Sequence, residues 1–450
     1  MPRHQPNHRL AALLTEANWN AGELACAIND LGRAQGLSLH YDRTAVAHWL
    51  TGSRPRSPVP DLAAQALSHR TGRLITTEET GLAPPRHDGP TPTAIAIEAD
   101  PVTALVTLAR SDTDPTHRTA LTHSIYSLTN PAIPAWSEEG CPASPPARSG
   151  RRRATSADAQ RLDGMIRIFA RLAACHGGAH ARSALAAYLA DDVSPLLTRR
   201  APRALQLDLL TYAAQLTHLL ATMTTDAGHH RLAQHYYTAA LGLSRQADNR
   251  TTYAITLRAM STQALQLGHL THAARLAEAA TDAAGRNVPS AVKAFVLIQH
   301  ALTDAHNRQP RKALTRLAAA ETHHEKASGP PGPFTSYPRA DLDYQRAATL
   351  LVLGHHTNAL EALTSSADRR VPSQHRPVAL THARLAGTYL QVGHLEAACA
   401  HWRHFLQHYP HLQSHTADQA LTQLQAHLRP HSRHPAARSL LQSAHTLTDR

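Results

Sequence analysis

Residues 261–277, STQALQLGHLTHAARLA, place a glycine and a histidine between two segments rich in alanine and leucine. Ser261 stands seven positions before Gly268, and Ala273 stands five positions after it. Glycine lets a chain leave a helix in a left-handed conformation, and antiparallel helices approach closely only where both present small side chains. The stretch therefore predicts a helical hairpin with its corner at Gly268.

The same pattern recurs along the second half of the chain. Four corners carry a glycine followed by a histidine: Gly228, Gly268, Gly354 and Gly393. A further corner is placed at Arg308, because alanines stand around Arg308 at the same spacing. Successive corners lie 40, 40, 46 and 39 residues apart. Each corner has a small residue seven positions before it: Ala221, Ser261, Ala301, Ala347 and Ala386. Each has an alanine five positions after it and an aromatic or apolar residue nine after it: Ala233, Ala273, Ala313, Ala359 and Ala398; Tyr237, Ala277, Leu317, Leu363 and Trp402. Because one hairpin cannot bury its own faces, the hairpins are expected to stack into an α-solenoid.

This order of residues resembles the tetratricopeptide repeat family over about residues 203–410. The family period is about 34 residues, so the longer spacing here predicts extended helices or loops. His300 and Arg346 stand where the repeat prefers a large apolar side chain. The resemblance implies an array that binds a peptide, a small molecule or a protein partner. A generic alanine-rich helical bundle is the alternative for this region.

A second pattern lies near the N-terminus, at residues 42–56, DRTAVAHWLTGSRPR. Asp42 is suited to cap a helix, and Val46 and Trp49 are spaced to share its inward face. Three polar side chains then point outward: Arg43, Thr44 and His48. A helix with short and polar residues at its front can enter the DNA major groove. An amphipathic surface helix with solvated arginines is the alternative.

Residues 20–29, NAGELACAIN, predict a supporting helix for that reader. Asn20 caps it, and its leucine and isoleucine face the core. The free amides of Ala21 and Gly22 would point at a phosphate, as amides at helix N-termini do.

Residues 23–29 (ELACAIN) and 42–56 together resemble the phage-repressor Cro/C1 (XRE-like) helix-turn-helix family. By that resemblance three residues match base-reading positions and five match backbone-contacting positions: Arg43, Thr44 and His48; Asn20, Ala21, Ser53, Arg54 and Arg56. The connection Asn29–Tyr41 is longer than the tight turn of the family. Either the supporting helix runs on to Gln35 and the chain returns through residues 36–41, or the docking angle differs.

The whole layout resembles regulators of filamentous actinobacteria that join an N-terminal helix-turn-helix to a tetratricopeptide array. The resemblance implies a transcriptional regulator of differentiation or secondary metabolism, which we expect to bind double-stranded DNA as a homodimer. A protein-interaction scaffold without specific DNA binding is the alternative function. The expected all-α divisions are a helix-turn-helix domain, a proline-rich linker with short helices, a first hairpin, the tetratricopeptide-like repeats and capping helices: 1–82, 83–155, 156–202, 203–410 and 411–450.

Composition agrees with this reading and narrows the function classes. The net charge of +12 favours a polyanionic partner. No phosphate-cradling glycine motif or nucleophile elbow occurs in the sequence, so we expect neither an enzyme nor a cofactor. His401, His404 and His408 share one helical face, but 34 histidines make such a triplet easy to obtain, and no metal site is expected. The absence of a signal peptide or a long apolar run predicts a cytoplasmic protein without a membrane span.

Overall fold

The computed structural model describes most of the chain: residues 6–34, 37–56, 58–71, 75, 77, 79–82, 100–122, 126–127, 136, 153–285, 287–329 and 332–448. Within these ranges the secondary structure is helical and no strand occurs, which confirms the all-α fold class. None of the described helices is both long and apolar enough to cross a membrane. The chain divides into two compact units: Met1–Ala99 with Thr119–Ile133, and Asp100–Arg118 with Pro134–Arg450.

Among its described residues, the first unit contains four complete helices: α1 (His8–Ala17), α2 (Ala21–Ala34), α3 (Arg43–Leu50) and α4 (Val59–Thr71). One apolar cluster joins them, and its fully buried members include Leu10, Leu24, Ile28, Val46 and Leu62. These side chains recur at helical spacing, so each helix turns one face to the shared core. The two helices predicted within residues 20–35 and 42–56 are thus present as α2 and α3.

The long connection between α2 and α3 is packed against the same core. The helix α2 continues to Ala34, and the described chain resumes at Leu37, whose amide donates to the Gly32 carbonyl at 2.8 Å. Asn29 then holds the returning chain through Tyr41: its Nδ2 donates to the Tyr41 carbonyl at 2.7 Å, and its Oδ1 accepts from the Tyr41 amide at 2.9 Å. Of the two routes left open by the sequence, the structure takes the extended supporting helix.

The second unit begins with two helices from the segment that the sequence assigns to a linker, α5 (Pro101–Thr113) and α6 (Pro115–Thr122), of which residues 115–118 belong to this unit. It continues with α7 (Ser156–His176), α8 (Gly178–Tyr188), a π-helical turn (Leu189–Val193) and α9 (Ser194–Leu197). The carboxylate of Asp112 in α5 is fully buried and accepts from both Nη atoms of Arg182, at 2.6 and 3.0 Å, and from the Tyr236 hydroxyl at 2.7 Å. Helix α5 is therefore fastened into the helical body of this unit.

The expected hairpins follow as ten helices: α10 (Arg203–Asp226), α11 (His230–Gln246), α12 (Arg250–Gln266), α13 (Leu270–Ala284), α14 (Ser290–His306), α15 (Pro310–Glu325), α16 (Arg339–Val352), α17 (His356–Asp368), α18 (His375–Gln391) and α19 (Leu395–His408). All five predicted corners have positive φ, from 58° at Arg308 to 87° at Gly393. The ten small residues seven before and five after the corners are all 0% exposed. The spacing thus identified the corners and the helix contacts correctly, including the corner without glycine.

Successive first helices pack on one another, α10 on α12, α12 on α14 and α14 on α16. The first helices of these four hairpins form one continuous layer, called here the inner layer. Two 3₁₀ turns and two helices follow α19: Tyr409–His411, Arg429–His431, α20 (His415–Leu428) and α21 (Pro435–Thr448). The last two helices extend the apolar core of the final hairpin around Trp402 and Phe405, as expected for capping helices.

The array also closes on itself through one buried carboxylate, Asp226 at the end of α10. It accepts from Arg376 Nη2 in α18 at 2.7 Å, from Ser414 Oγ at 2.9 Å and from the Gly178 amide at 2.7 Å. Burial alone would raise the pKa of Asp226, but the Arg376 guanidinium and the hydrogen bonds hold it below its usual value. One ionised group thereby joins the beginning of the array to its end.

Candidate nucleic-acid interface

Helix α3 is positioned by a cap and by two buried side chains. Asp42 Oδ1 accepts from the Ala45 amide at 2.9 Å, and this bond is the main cause that lowers the pKa of the Asp42 carboxyl. Val46 and Trp49 are 0% and 4% exposed, and the Trp49 ring meets the Tyr41 ring edge-on at 5.3 Å. One face of α3 is therefore fixed against the core of the first unit.

The opposite face carries the residues that the sequence assigns to base reading. Arg43, Thr44 and His48 are all exposed. Since a helix repeats every 3.6 residues, side chains at positions 44 and 48 lie one turn apart on the same face. The structure thus brings these polar side chains together on the outside of α3.

The N-terminus of α2 lies beside the N-terminus of α3. A Cβ atom on Gly22 would lie 4.0 Å from the Cβ of Arg43. Asn20 Oδ1 accepts from the Gly22 and Glu23 amides at 2.9 and 3.0 Å, and the Glu23 carboxylate accepts from the Asn20 amide at 2.7 Å. This reciprocal cap occupies the Gly22 amide, so the expectation that this amide is free for a phosphate is wrong.

The chain leaves α3 through Gly52, which has a φ of 108°. The Ser53 amide donates to the His48 carbonyl at 3.0 Å, so the turn stays close to the end of the helix. Ser53 is half-buried, whereas Arg54 and Arg56 are exposed. Two exposed guanidinium groups therefore lie on the segment that follows α3.

Asn7 is a positioning residue that the sequence reading did not identify. Its amide donates to the Leu50 carbonyl at 2.9 Å, and its Nδ2 donates to the Thr80 carbonyl at 2.9 Å. Its Oδ1 caps α1 by accepting from the Leu10 amide at 3.1 Å. An asparagine just before the first apolar periodicity is a local signal for the cap, but the two distant bonds carry no local signal.

Histidines of α19 pair with histidines of α18 and do not converge on a common point, as ligands of one metal ion would. His401 Nδ1 lies 3.1 Å from His382 Nδ1, and His408 Nδ1 lies 2.9 Å from His375 Nδ1. Burial and the neighbouring imidazoles lower the pKa of His382 to about 4. In the part of the chain that the structure describes, no group of three histidine, cysteine or acidic side chains is arranged to hold a metal ion.

Comparison with known protein families gives one match in this region. Residues 10–83 match the family model of the SP15 N-terminal domain. The matched segment includes most of α1 and all of α2, α3 and α4, so it coincides with the helices that build the candidate interface. No curated protein matches the chain.

Proposed function

We propose that this protein is a sequence-specific DNA-binding transcriptional regulator and that α3 is its reader helix. One observation carries the proposal: the polar residues Arg43, Thr44 and His48 are exposed on α3, while Val46 and Trp49 fix the opposite face. A rigid helix with such a front has the shape and the hydrogen-bonding groups to read base edges in the major groove.

The proposed DNA contacts are of two kinds: some side chains read bases, and others bind phosphates and position the protein on the duplex. Arg43 can bond a guanine edge through two parallel hydrogen bonds, and Thr44 and His48 stand beside it. Arg54 and Arg56 supply charge to the phosphates, which adds affinity that decreases with salt. Since Asn20 and Glu23 cap α2 with their own side chains, the phosphate contacts depend more on the exit arginines than on Asn20 and Ala21.

The stacked hairpins would serve dimerisation and the binding of a peptide, a small molecule or a protein partner. A symmetric dimer would place two reader helices on half-sites about 34 Å apart, or a multiple of that distance. A ligand that favours one arrangement of the dimer would change the occupancy of the operator by shifting the population. The proposed site of action is the cytoplasm, on the chromosome.

Selection and sequencing of fragments from the source genome bound by purified protein tests the proposal. The double variant Arg43→Ala/His48→Ala should lose an enriched motif that the unchanged protein selects. Arg33→Ala is the matched control, because it removes an exposed arginine of α2 that pairs with Asp30 at 2.9 Å outside the reader face. Binding without any motif, equal in all three proteins, would reject the reader and favour the interaction scaffold.

A further inference from the structure

Residues 332–336, GPFTS, form a small turn between α15 and α16, called here the internal knob. The Gly332 carbonyl accepts from the Thr335 and Ser336 amides at 3.3 and 3.2 Å, and Ser336 Oγ accepts from the Gly332 amide at 3.2 Å. The turn is closed by its own hydrogen bonds. The closed turn therefore holds the backbone from which the side chain of Phe334 projects.

Phe334 lies against the inner layer of the array and is 7% exposed. Its ring meets the His218 ring of α10 edge-on at 5.3 Å, although the knob follows α15. The knob thus reaches back from the third hairpin to the first. Between knob and array remains a small cavity, lined by Pro333, Phe334, Thr335 and Ser336 on one side and by Ile255, Ala291, Val292 and Phe295 on the other. The knob therefore leaves part of its contact surface with the array unfilled.

Two polar groups without a hydrogen-bond partner lie beside Phe295, which lines this cavity. The guanidinium of Arg258 in α12 stacks over the Phe295 ring at 4.0 Å, and the Tyr337 ring meets Phe295 edge-on at 5.0 Å. Among the described residues, neither Arg258 Nε nor the Tyr337 hydroxyl has a hydrogen-bond partner, although both atoms are buried. Two donors therefore border one aromatic ring without an acceptor.

The charges around Arg258 leave it without a carboxylate of its own. Asp341 attracts it at longer range but forms its ion pair with Arg370. Burial lowers the pKa of the Arg258 guanidinium, and burial also lowers the pKa of His218 to about 3, so His218 carries no charge near neutral pH. Arg258 is half-buried and its Nε is buried. A desolvated cation that lacks an anion is costly, and a carboxylate is a partner that arginine binds with two hydrogen bonds.

We propose that this part of the inner layer binds the C-terminal residue of a peptide that ends in an aromatic side chain. The ring takes the place of Phe334, and the terminal carboxylate accepts from Arg258 and Tyr337. The present occupant, a phenylalanine on a polypeptide turn, supports a peptide as the ligand. The internal knob is then an internal competitor that must leave before the peptide enters. This proposal stands apart from DNA reading by α3, because every residue in it belongs to the second unit.

Because the knob competes with the peptide for the same site, it weakens the apparent affinity of the protein for the peptide. The apparent dissociation constant equals the intrinsic one divided by the fraction of molecules with an open site, so removal of the Phe334 ring should tighten peptide binding by about tenfold or more. Arg258→Gln should remove the preference for a free carboxylate. Arg384→Gln is the matched control, since its guanidinium also stacks at 4.0 Å, over the ring of Tyr344.

Isothermal titration of the full-length protein, without DNA, tests the proposal. The probe is the peptide acetyl-Gly-Ser-Gly-Ser-Phe with a free C-terminus, and the comparison is the same peptide with a C-terminal amide. We expect Phe334→Ala to bind the acid about tenfold more tightly than the amide, because only the acid offers a charged acceptor. Arg258→Gln should bind both alike, and Arg384→Gln should behave as the unchanged protein does. If Phe334→Ala does not fold, Phe334→Leu replaces it and should show the same preference with a smaller gain.

Three results would overturn the proposal. Equal binding of acid and amide by folded Phe334→Ala, or no binding of either, would exclude the carboxylate site. An equal loss in Arg384→Gln and Arg258→Gln would show that the effect is not local to Phe295. Binding of N-acetylphenylalanine as tight as that of the peptide would replace the peptide by a small aromatic acid. Each result leaves the genome-fragment experiment, and thus the proposal of DNA reading, unaffected.

Discussion

Two groups of arginines, one in each unit, have opposite surroundings. In the first unit Arg43, Arg54 and Arg56 are exposed around α3. In the second unit Arg182 and Arg376 are bonded to the buried carboxylates of Asp112 and Asp226: their side chains are 6% and 31% exposed. The same side chain is therefore exposed to solvent in one group and joins helices in the other. The net charge of +12 says nothing about this division, which depends on where the carboxylates lie.

The sharpest test of this contrast is Asp112→Ala. It would leave Arg182 and Tyr236 buried without their acceptor, so the free energy of unfolding should decrease by about 3–5 kcal/mol. Urea denaturation followed by circular dichroism measures the loss. Asp30→Ala removes an exposed carboxylate paired with Arg33 and should cost less than about 1 kcal/mol. Equal effects of the two variants would mean that the buried network does not hold α5.

Arg43→Ala tests the other side of the contrast. Stability should be unchanged, while binding to the selected DNA site should weaken by about 1–3 kcal/mol and specificity should relax at one base pair. Arg56→Ala should weaken binding to all sequences alike and reduce the salt slope by about 1. Competition titrations at several salt concentrations distinguish the two effects. Intact sequence preference in Arg43→Ala would contradict the assignment of α3 as the reader.

His218 makes the stability of the second unit depend on pH. Its folded pKa of about 3 lies below the ordinary value of 6.5, because burial disfavours the charged imidazole. As the pH falls, His218 therefore binds a proton in the unfolded chain before it does so in the folded protein. The free energy of unfolding decreases as the pH falls from 6.5 toward 3. Between pH 7.5 and pH 5 this one group should cost about 2 kcal/mol.

Comparison with His218→Gln isolates that contribution from the other histidines. Glutamine cannot titrate but can still bond to Thr256 Oγ1, which lies 3.1 Å from His218 Nδ1. Urea midpoints of both proteins are measured at each pH. The difference between them should shrink on acidification by the amount given above, and parallel curves would show that His218 does not titrate with folding.

The smallest expected effects concern the corners. Arg308 adopts a φ of 58°, where a side chain is disfavoured, so Arg308→Gly should stabilise the protein by less than about 1 kcal/mol. Gly268→Ala should destabilise it by a similar amount through the backbone alone, because a Cβ there would meet no atom within 4 Å. Thermal unfolding measures both changes. A loss of stability in Arg308→Gly would indicate that its side chain contributes more than its backbone costs.

The sequence predicts the repeated part of the fold well because its signals are local. Corners, small contact residues and the cap of α3 each depend on residues within about ten positions, and even the corner at Arg308 follows from the alanines around it. The network of Asp112 joins residues 70 and 124 positions apart, so no window of sequence contains it. The candidate reader shows both cases: its exposed front follows from periodicity, whereas the support from Asn7 requires the fold.

The buried carboxylate of Asp226 has a consequence for how the chain folds. Hairpins joined only to their neighbours can form in any order, since each contact closes a short loop. Asp226, however, bonds to Arg376 and Ser414, which lie 150 and 188 residues later. Closure of so long a loop is slow. During synthesis it cannot begin before residue 376, or be complete before residue 414, has left the ribosome. The completed ring of contacts is therefore expected to form last, as a single late step after the hairpins.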